Sequence, residues 1–314
     1  MNMQSGRRDA RNLFGIRQRA CGAPLWRADI GSVGVGQAAW CPDRARARAE
    51  RRGPVLAPVG LADLEAAIER LRRVRLPDWV VFAPHEDAFS EAADPGRRRE
   101  VTAMIRHLLG HGIGVALTTR GSVRAGEALI AIAREHPTML SVRVGIFATD
   151  GQLEEKWERG LAPWAQRLAL ARALREAGAQ VEVELGPLIP FVNDDPKRLR
   201  DVMRAIGRSG VRAVAVRWLE DGPGLEEQIE AEVSRSAAGL VGGWFQQPGS
   251  NVGSSVRRII PMQVRRTRVA TLEEIAAGLG LALVTCSCVE GGAAVACHTA
   301  PKSTRSEQLG LSLA

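Results

Sequence analysis

The sequence predicts an α/β fold, a full or partial (βα) barrel of parallel strands with an irregular N-terminal segment and a small Cys-containing C-terminal tail. Three observations carry that expectation. Between Leu76 and Leu219, short apolar runs alternate with longer segments at helical spacing. The 314 residues are long for one core and short for two, which suits one barrel with small appendages. The unusual polar residues collect where the apolar runs end, and that is where such folds place their sites.

The elements follow in order. Residues 1–55 form an irregular segment: Gly31, Gly34 and Gly36 with Arg44, Arg46, Arg48, Arg51 and Arg52 show neither helix nor strand periodicity. The glycines of GSVGVG miss the spacing of a dinucleotide fingerprint. The barrel core is expected over 56–220. It opens on a helix from Gly60, with Leu61, Leu64, Ala67, Ile68 and Leu71 on one face and Asp63 in the first turn, where a carboxylate suits the helix dipole. Trp79–Phe82 is a strand ending at APHEDAF, and Arg99–His111 is a helix stopped by Gly112. Ile113–Leu117 is a strand running into TTRGS, followed by a helix over Ala125–Glu135 and a strand over Leu140–Ile146. Pro163–Ala177 is a helix closed by Gly178, and Val181–Leu185 is a strand entering PLIP. A helix over Pro196–Ile206 and a strand over Ala213–Trp218 complete the core. Apolar runs separated by helices mean parallel strands joined by right-handed crossovers, with a doubly wound sheet as the alternative to a barrel.

A C-terminal extension occupies 221–285. It predicts a helix over Leu225–Ser236, a loop in GGWFQQPGSNVGSS, and a helix over Thr271–Leu279 with Thr271 as N-cap and Glu274 three residues on. A short strand ends at Cys286, and the Cys-containing tail covers 286–314.

Composition narrows the function classes. The charged fraction of 25% is that of a globular chain, and the net charge of +8 favours a polyanionic partner. The arginines, however, are scattered among acidic residues without interleaved aromatics that would stack bases, so nucleic acid is a weakly supported partner. No apolar run is long enough to cross a membrane, and no apolar segment follows the basic N-terminus, so a cytoplasmic protein is expected. There, the five cysteines read as thiols or metal ligands before disulfides. G-x-S-x-G, H-E-x-x-H and Walker patterns are missing, which removes the common hydrolase and nucleotide-triphosphatase readings.

The strand ends carry a resemblance. Asp87 lies in the turn after the first core strand and Thr119-Arg120 follows the next. Glu158 and Gly160, then Arg167-Leu168, Glu176-Ala177-Gly178 and the run Pro187 to Asp194, complete an ordered set. In that order and spacing the chain resembles the radical S-adenosylmethionine (SAM) proteins related to spore photoproduct lyase, departing at Arg159 and Phe191, where that group has Pro and Gly. The resemblance implies a barrel that holds SAM over a [4Fe-4S] cluster and abstracts hydrogen from an unknown substrate. It also implies SAM or substrate contacts from Asp87, Thr119, Arg120, Ser141, Arg143, Glu158, Arg167 and Asn193. Arg120 would suit the SAM carboxylate through a bidentate pair, a surface arginine being the plain alternative. Arg143 interrupts an apolar strand and needs a carboxylate or a bound anion, Glu184 being an available partner. Asp87, beside His85 and Glu86, reads equally as a helix-capping turn. His107, His111 and His136 read as surface or packing residues.

The cluster motif of that group, C-x3-C-x2-C, is missing. Asn12-Leu13-Phe14-Gly15 is similar to its opening, yet only Cys21 and Cys41 lie in the expected region. Either the barrel has lost its cluster, or the stretch from about Gly15 to Gly53 is translated out of frame. In the first case the chain is a cluster-less barrel that binds ligand or protein. At the other end, Cys286, Cys288 and Cys297 form C-x-C-x8-C beside His298, which suits a metal or iron–sulfur site or, more plainly, three small buried thiols.

Overall fold

The computed structural model describes residues 13–18, 24–28, 30, 38–49, 59–83, 87–247 and 258–284. One eight-stranded sheet runs through it in the order β1 (Phe14–Gln18), β2 (Pro24–Ala28), β3 (Trp79–Phe82), β4 (Gly114–Thr119), β5 (Leu140–Ile146), β6 (Gln180–Leu188), β7 (Ala213–Trp218), β8 (Ala282–Val284). The first pair is antiparallel and every later pair is parallel. Spatial order equals chain order, so no strand reversal creates the switch point of a doubly wound sheet. Among the described residues β1 and β8 do not pair, and the molecule is a partial (βα) barrel, open rather than closed.

The helices are α1 (Pro42–Ala49), α2 (Leu61–Arg72), α3 (Pro95–Gly110), α4 (Glu127–Glu135), α5 (Gly151–Trp157), α6 (Trp164–Glu176), α7 (Pro196–Arg208), α8 (Leu225–Glu232), α9 (Arg235–Phe245) and α10 (Met262–Leu279). Helix starts are set by local chemistry. Asp94, Asp150 and Asp195 accept backbone N–H groups at the N-termini of α3, α5 and α7, and a proline follows the cap in α3 and α7. The strands alternate. Val142, Val144, Ile146, Val183, Leu185 and Val214 are buried, with α6 packed on β5 and β6. Each such side chain removed from water is worth about 1.5–3 kcal/mol. The opposite face carries Ser141, Arg143 and Gly145 of β5 beside Gln180, Glu182 and Glu184 of β6. A sheet with helices on one side and charges on the other directs its polar groups to the concave face.

Several expectations shift. The N-terminal stretch read without periodicity contributes the β1–β2 hairpin and α1. The helix expected over Leu225–Ser236 breaks at Ser234, whose hydroxyl accepts from Ala237 N and starts α9, so Gly242–Phe245 is helix rather than loop. Thr271 is not an N-cap. It lies inside α10, where its hydroxyl donates to the Thr267 carbonyl one turn back.

Candidate functional site

Asp87 follows β3 and organises the turn after β4. Its Oδ1 accepts from Thr119 Oγ1 at 2.8 Å and from Phe89 N at 3.2 Å, and its Oδ2 accepts from Arg120 N at 2.7 Å. Burial pushes the Asp87 carboxyl above the ordinary carboxylate range, against those hydrogen bonds, which favour the anion. The Thr119 side chain thus faces the β3 turn, and its hydroxyl also accepts from Gly121 N at 3.1 Å.

Arg120 leaves the end of β4 and crosses over Gly145, where an added Cβ would stand 2.5 Å from the guanidinium carbon. The absent side chain gives the arginine its path. Arg120 Nη1 donates to Glu158 Oε1 at 2.9 Å and Nη2 to the Gly186 carbonyl at 2.9 Å, with Glu184 3.6 Å away. The other oxygen of Glu158 accepts from Arg167 Nη1 at 2.6 Å. Arg167, fully buried, also donates to the carbonyls of Ala162 and Gly145 and lies 3.6 Å from Glu154. Burial raises the Glu154 carboxyl to about 7, and Trp164 N donates to its Oε2. Burial also works to raise Glu184, but the guanidiniums of Arg217, Arg120 and Arg143 outweigh it and hold the carboxyl below its usual range.

Arg143 pairs with Glu182 at 2.8 Å, not with Glu184. The strand register decides this, because Arg143 lies directly opposite Glu182 while Glu184 lies opposite Gly145. Asn193 closes the β6–α7 loop: Ile189 N donates to its Oδ1 at 2.8 Å, and its Nδ2 donates to the carbonyls of Phe147 and Pro187. Beside it, an open cavity of about 580 Å³ is lined by Phe147, Thr149, Asp150, Asn193, Lys197 and Arg198, among others. Its mixed charges suit a zwitterionic ligand, and its size is that of a small-molecule pocket.

Asp87, Thr119, Arg120, Glu158 and Arg167 therefore form one connected set, and Asn193 joins it through the peptide next to Gly186. Ser141 does not. It is buried near the start of β5, opposite Ala116 and Gln180, away from the strand end. Arg143 is midway along the same strand. His107 of α3 and His111, the C-cap of that helix, meet edge to face, 4.6 Å between ring centres. Arg217 was overlooked in the sequence although it interrupts β7 as Arg143 interrupts β5. Trp40, which covers Arg120 with 4.6 Å from ring centre to guanidinium carbon, comes from a stretch without periodicity and had no signal to find.

The cluster does not fit. The loop after β2 holds one cysteine, Cys41, whose carbonyl accepts from Gln228 Nε2 and from Ala45 N at the start of α1. Three thiolates are needed there to leave one iron open. Among the described residues no group of three or more His, Cys, Asp or Glu is placed to hold a metal. Cys286, Cys288 and Cys297 lie outside the described residues. Also among the described residues, no helix is long and apolar enough to cross a membrane.

No family model matches the chain. Uncharacterized proteins of Mycobacterium tuberculosis (strain ATCC 25618 / H37Rv) and Mycobacterium bovis are 29% identical to it over 156 residues, 48% of this chain and 45% of each relative. The match thus spans under half the length of those relatives. Among solved structures, spore photoproduct lyase complexed with dinucleoside spore photoproduct superposes with a TM-score of 0.66 at 13% identity, covering 87% of this chain and 79% of that one. A spore photoproduct lyase variant with bound AdoMet and the same dinucleoside gives 0.62 at 13% identity, covering 88% and 79%. SuiB of Streptococcus suis gives 0.52 at 10% identity, covering 84% and 51%. The fold is the one these radical SAM enzymes share, and with the ordered strand-end residues the chain resembles the spore photoproduct lyase group.

Proposed function

We propose that this chain is a radical SAM-type barrel that binds S-adenosylmethionine at the C-terminal ends of its strands, without a cluster on the loop after β2, and serves as a ligand-binding module. One observation carries this: the strand-end set Asp87–Thr119–Arg120–Glu158–Arg167 is fully built, while the loop that must supply three thiolates has only Cys41. The cavity beside Asn193 offers acids and bases for the carboxylate and ammonium of SAM, and Arg120 lies one peptide further along. Bound SAM supplies a sulfonium and an adenosyl group. The protein's own part is to orient the ligand with fixed donors and to keep water from the strand ends.

A second reading, reductive SAM cleavage with hydrogen-atom abstraction on an unknown substrate, is supported by the likeness to spore photoproduct lyase. It needs an iron–sulfur cluster, and the tail cysteines Cys286, Cys288 and Cys297 are the remaining set for one. Equilibrium dialysis with SAM, followed by chromatography for 5′-deoxyadenosine after anaerobic reduction, separates the two. Binding without 5′-deoxyadenosine is the expected result. Formation of 5′-deoxyadenosine establishes the enzyme instead, and failure to retain SAM removes both.

A further inference from the structure

Trp40 ends the loop after β2 and lies on the concave face of the sheet. Its ring centre is 4.6 Å from the guanidinium carbon of Arg120 and 5.7 Å from that of Arg217, a stacked position over two cations. Only 6% of the residue is exposed. Its indole N–H is buried with no acceptor among the described residues.

The segment around it is fastened at identifiable points. Ala39 N donates to the Trp157 carbonyl at 2.8 Å, at the end of α5. Gln228 of α8 donates from Nε2 to the Ala39 carbonyl at 2.8 Å and to the Cys41 carbonyl at 3.2 Å, clasping the chain on both sides of Trp40. Arg44 pairs with Glu232 at 2.6 Å. Gly224, at φ +76°, lets α1 come close, since a Cβ there would stand 2.8 Å from the Ala45 carbonyl.

We propose that Trp40 is a gate on the strand-end site. Closed, it covers Arg120, while 38% of the Arg217 side chain stays exposed, and a ligand anion reaches Arg120 only when residues 38–41 leave Gln228 and Trp157. The orphaned indole N–H favours departure, because it regains a partner in water. The two cation contacts and the Gln228 clasp favour closure. The part of this that concerns SAM rests on the proposed function; the covering of Arg120 does not. Apparent affinity falls by the fraction of molecules that are open, so a gate closed in about nine molecules of ten weakens binding about tenfold.

The test compares the full chain with Trp40→Ala and Trp40→Phe. Phenylglyoxal modification is mapped by mass spectrometry, and SAM binding is measured by calorimetry. Trp40→Ala is expected to raise modification of Arg120 several-fold, with Arg217 reactive in every variant because it is already part-exposed, and to tighten SAM binding about tenfold. Trp40→Phe, which keeps a stacked ring, stays near the parent. Arg167, buried beneath Glu158, reports unfolding. If it too becomes reactive in Trp40→Ala, Gln228→Ala, which frees the same segment and leaves the indole intact, is read instead. Unchanged reactivity of Arg120 in the folded variant overturns the gate. If Arg120 opens but no variant retains SAM, the gate stands and the SAM reading falls.

Discussion

Glu158 sits between two guanidiniums with none of its side chain exposed, one oxygen on Arg120 and the other on Arg167. Buried ion pairs gain little overall against desolvation, but removing one partner strands the other charge. Glu158→Gln keeps the shape and removes the charge that balances both arginines. A loss of about 3–5 kcal/mol in urea-induced unfolding is expected, and a loss below about 1 kcal/mol would mean that water reaches the pair. At this scale much was legible. Asp87, Thr119, Arg120 and Asn193 stand out because they follow apolar runs, whereas Glu158, at the end of α5, and Arg167, inside α6, were reached only through the family resemblance. What was not legible was partner choice: Arg143 takes Glu182 because of strand register, which no single strand encodes.

The β6–α7 loop shows the same limit one level up. Phe191 has φ +66° and is 73% exposed, stacked on Trp244 of α9 at 5.8 Å between ring centres. A left-handed backbone suits glycine, so the phenylalanine is held here against its own preference. The turn is over-determined: Phe191 N donates to Asp194 Oδ1, and Arg268 of α10 donates to Asp194 Oδ2 at 2.6 Å. In Phe191→Gly the relief of backbone strain and the lost stacking offset each other, so thermal unfolding should place it within about 1 kcal/mol of the parent. Phe191→Val loses the stack and adds a branched Cβ at positive φ, for a cost of about 2 kcal/mol. Equal losses in both variants would show that the ring contact, not the backbone, governs this turn. Among the elements, β3 to β7 were readable as short apolar runs alternating with segments at helical spacing. The β1–β2 hairpin was not, because FGIRQ and PLWRA mix apolar residues with Arg, Gln and Pro and leave no apolar run. The break at Ser234 was readable in principle, because a serine whose hydroxyl accepts from the backbone three residues on is a helix start.

For the whole molecule, sheet order and cysteine placement bear on the same question. Strands in chain order bring the ends of β3 to β7 to one mouth, the arrangement the radical SAM fold uses, yet the loop after β2 lacks its cysteines. Iron and sulfide supplied anaerobically should therefore leave no cluster on that loop. Any brown colour that forms should disappear when Cys286, Cys288 and Cys297 are changed together to Ser. Colour that persists in the triple variant, read by absorbance and iron content, would assign the iron to Cys21 and Cys41.

Periodicity and turn chemistry are local properties, so the amino-acid sequence alone determined the alternation of strands and helices, the polar character of the strand ends and the lack of a three-cysteine motif. Tertiary structure decided the pairing of charges on the concave face, the left-handed seat of Phe191 and the position of Trp40 over Arg120. Those contacts join residues far apart in the chain, such as Ala39 with Gln228, and they exist only once the sheet has curved and α8 has closed on the N-terminal segment.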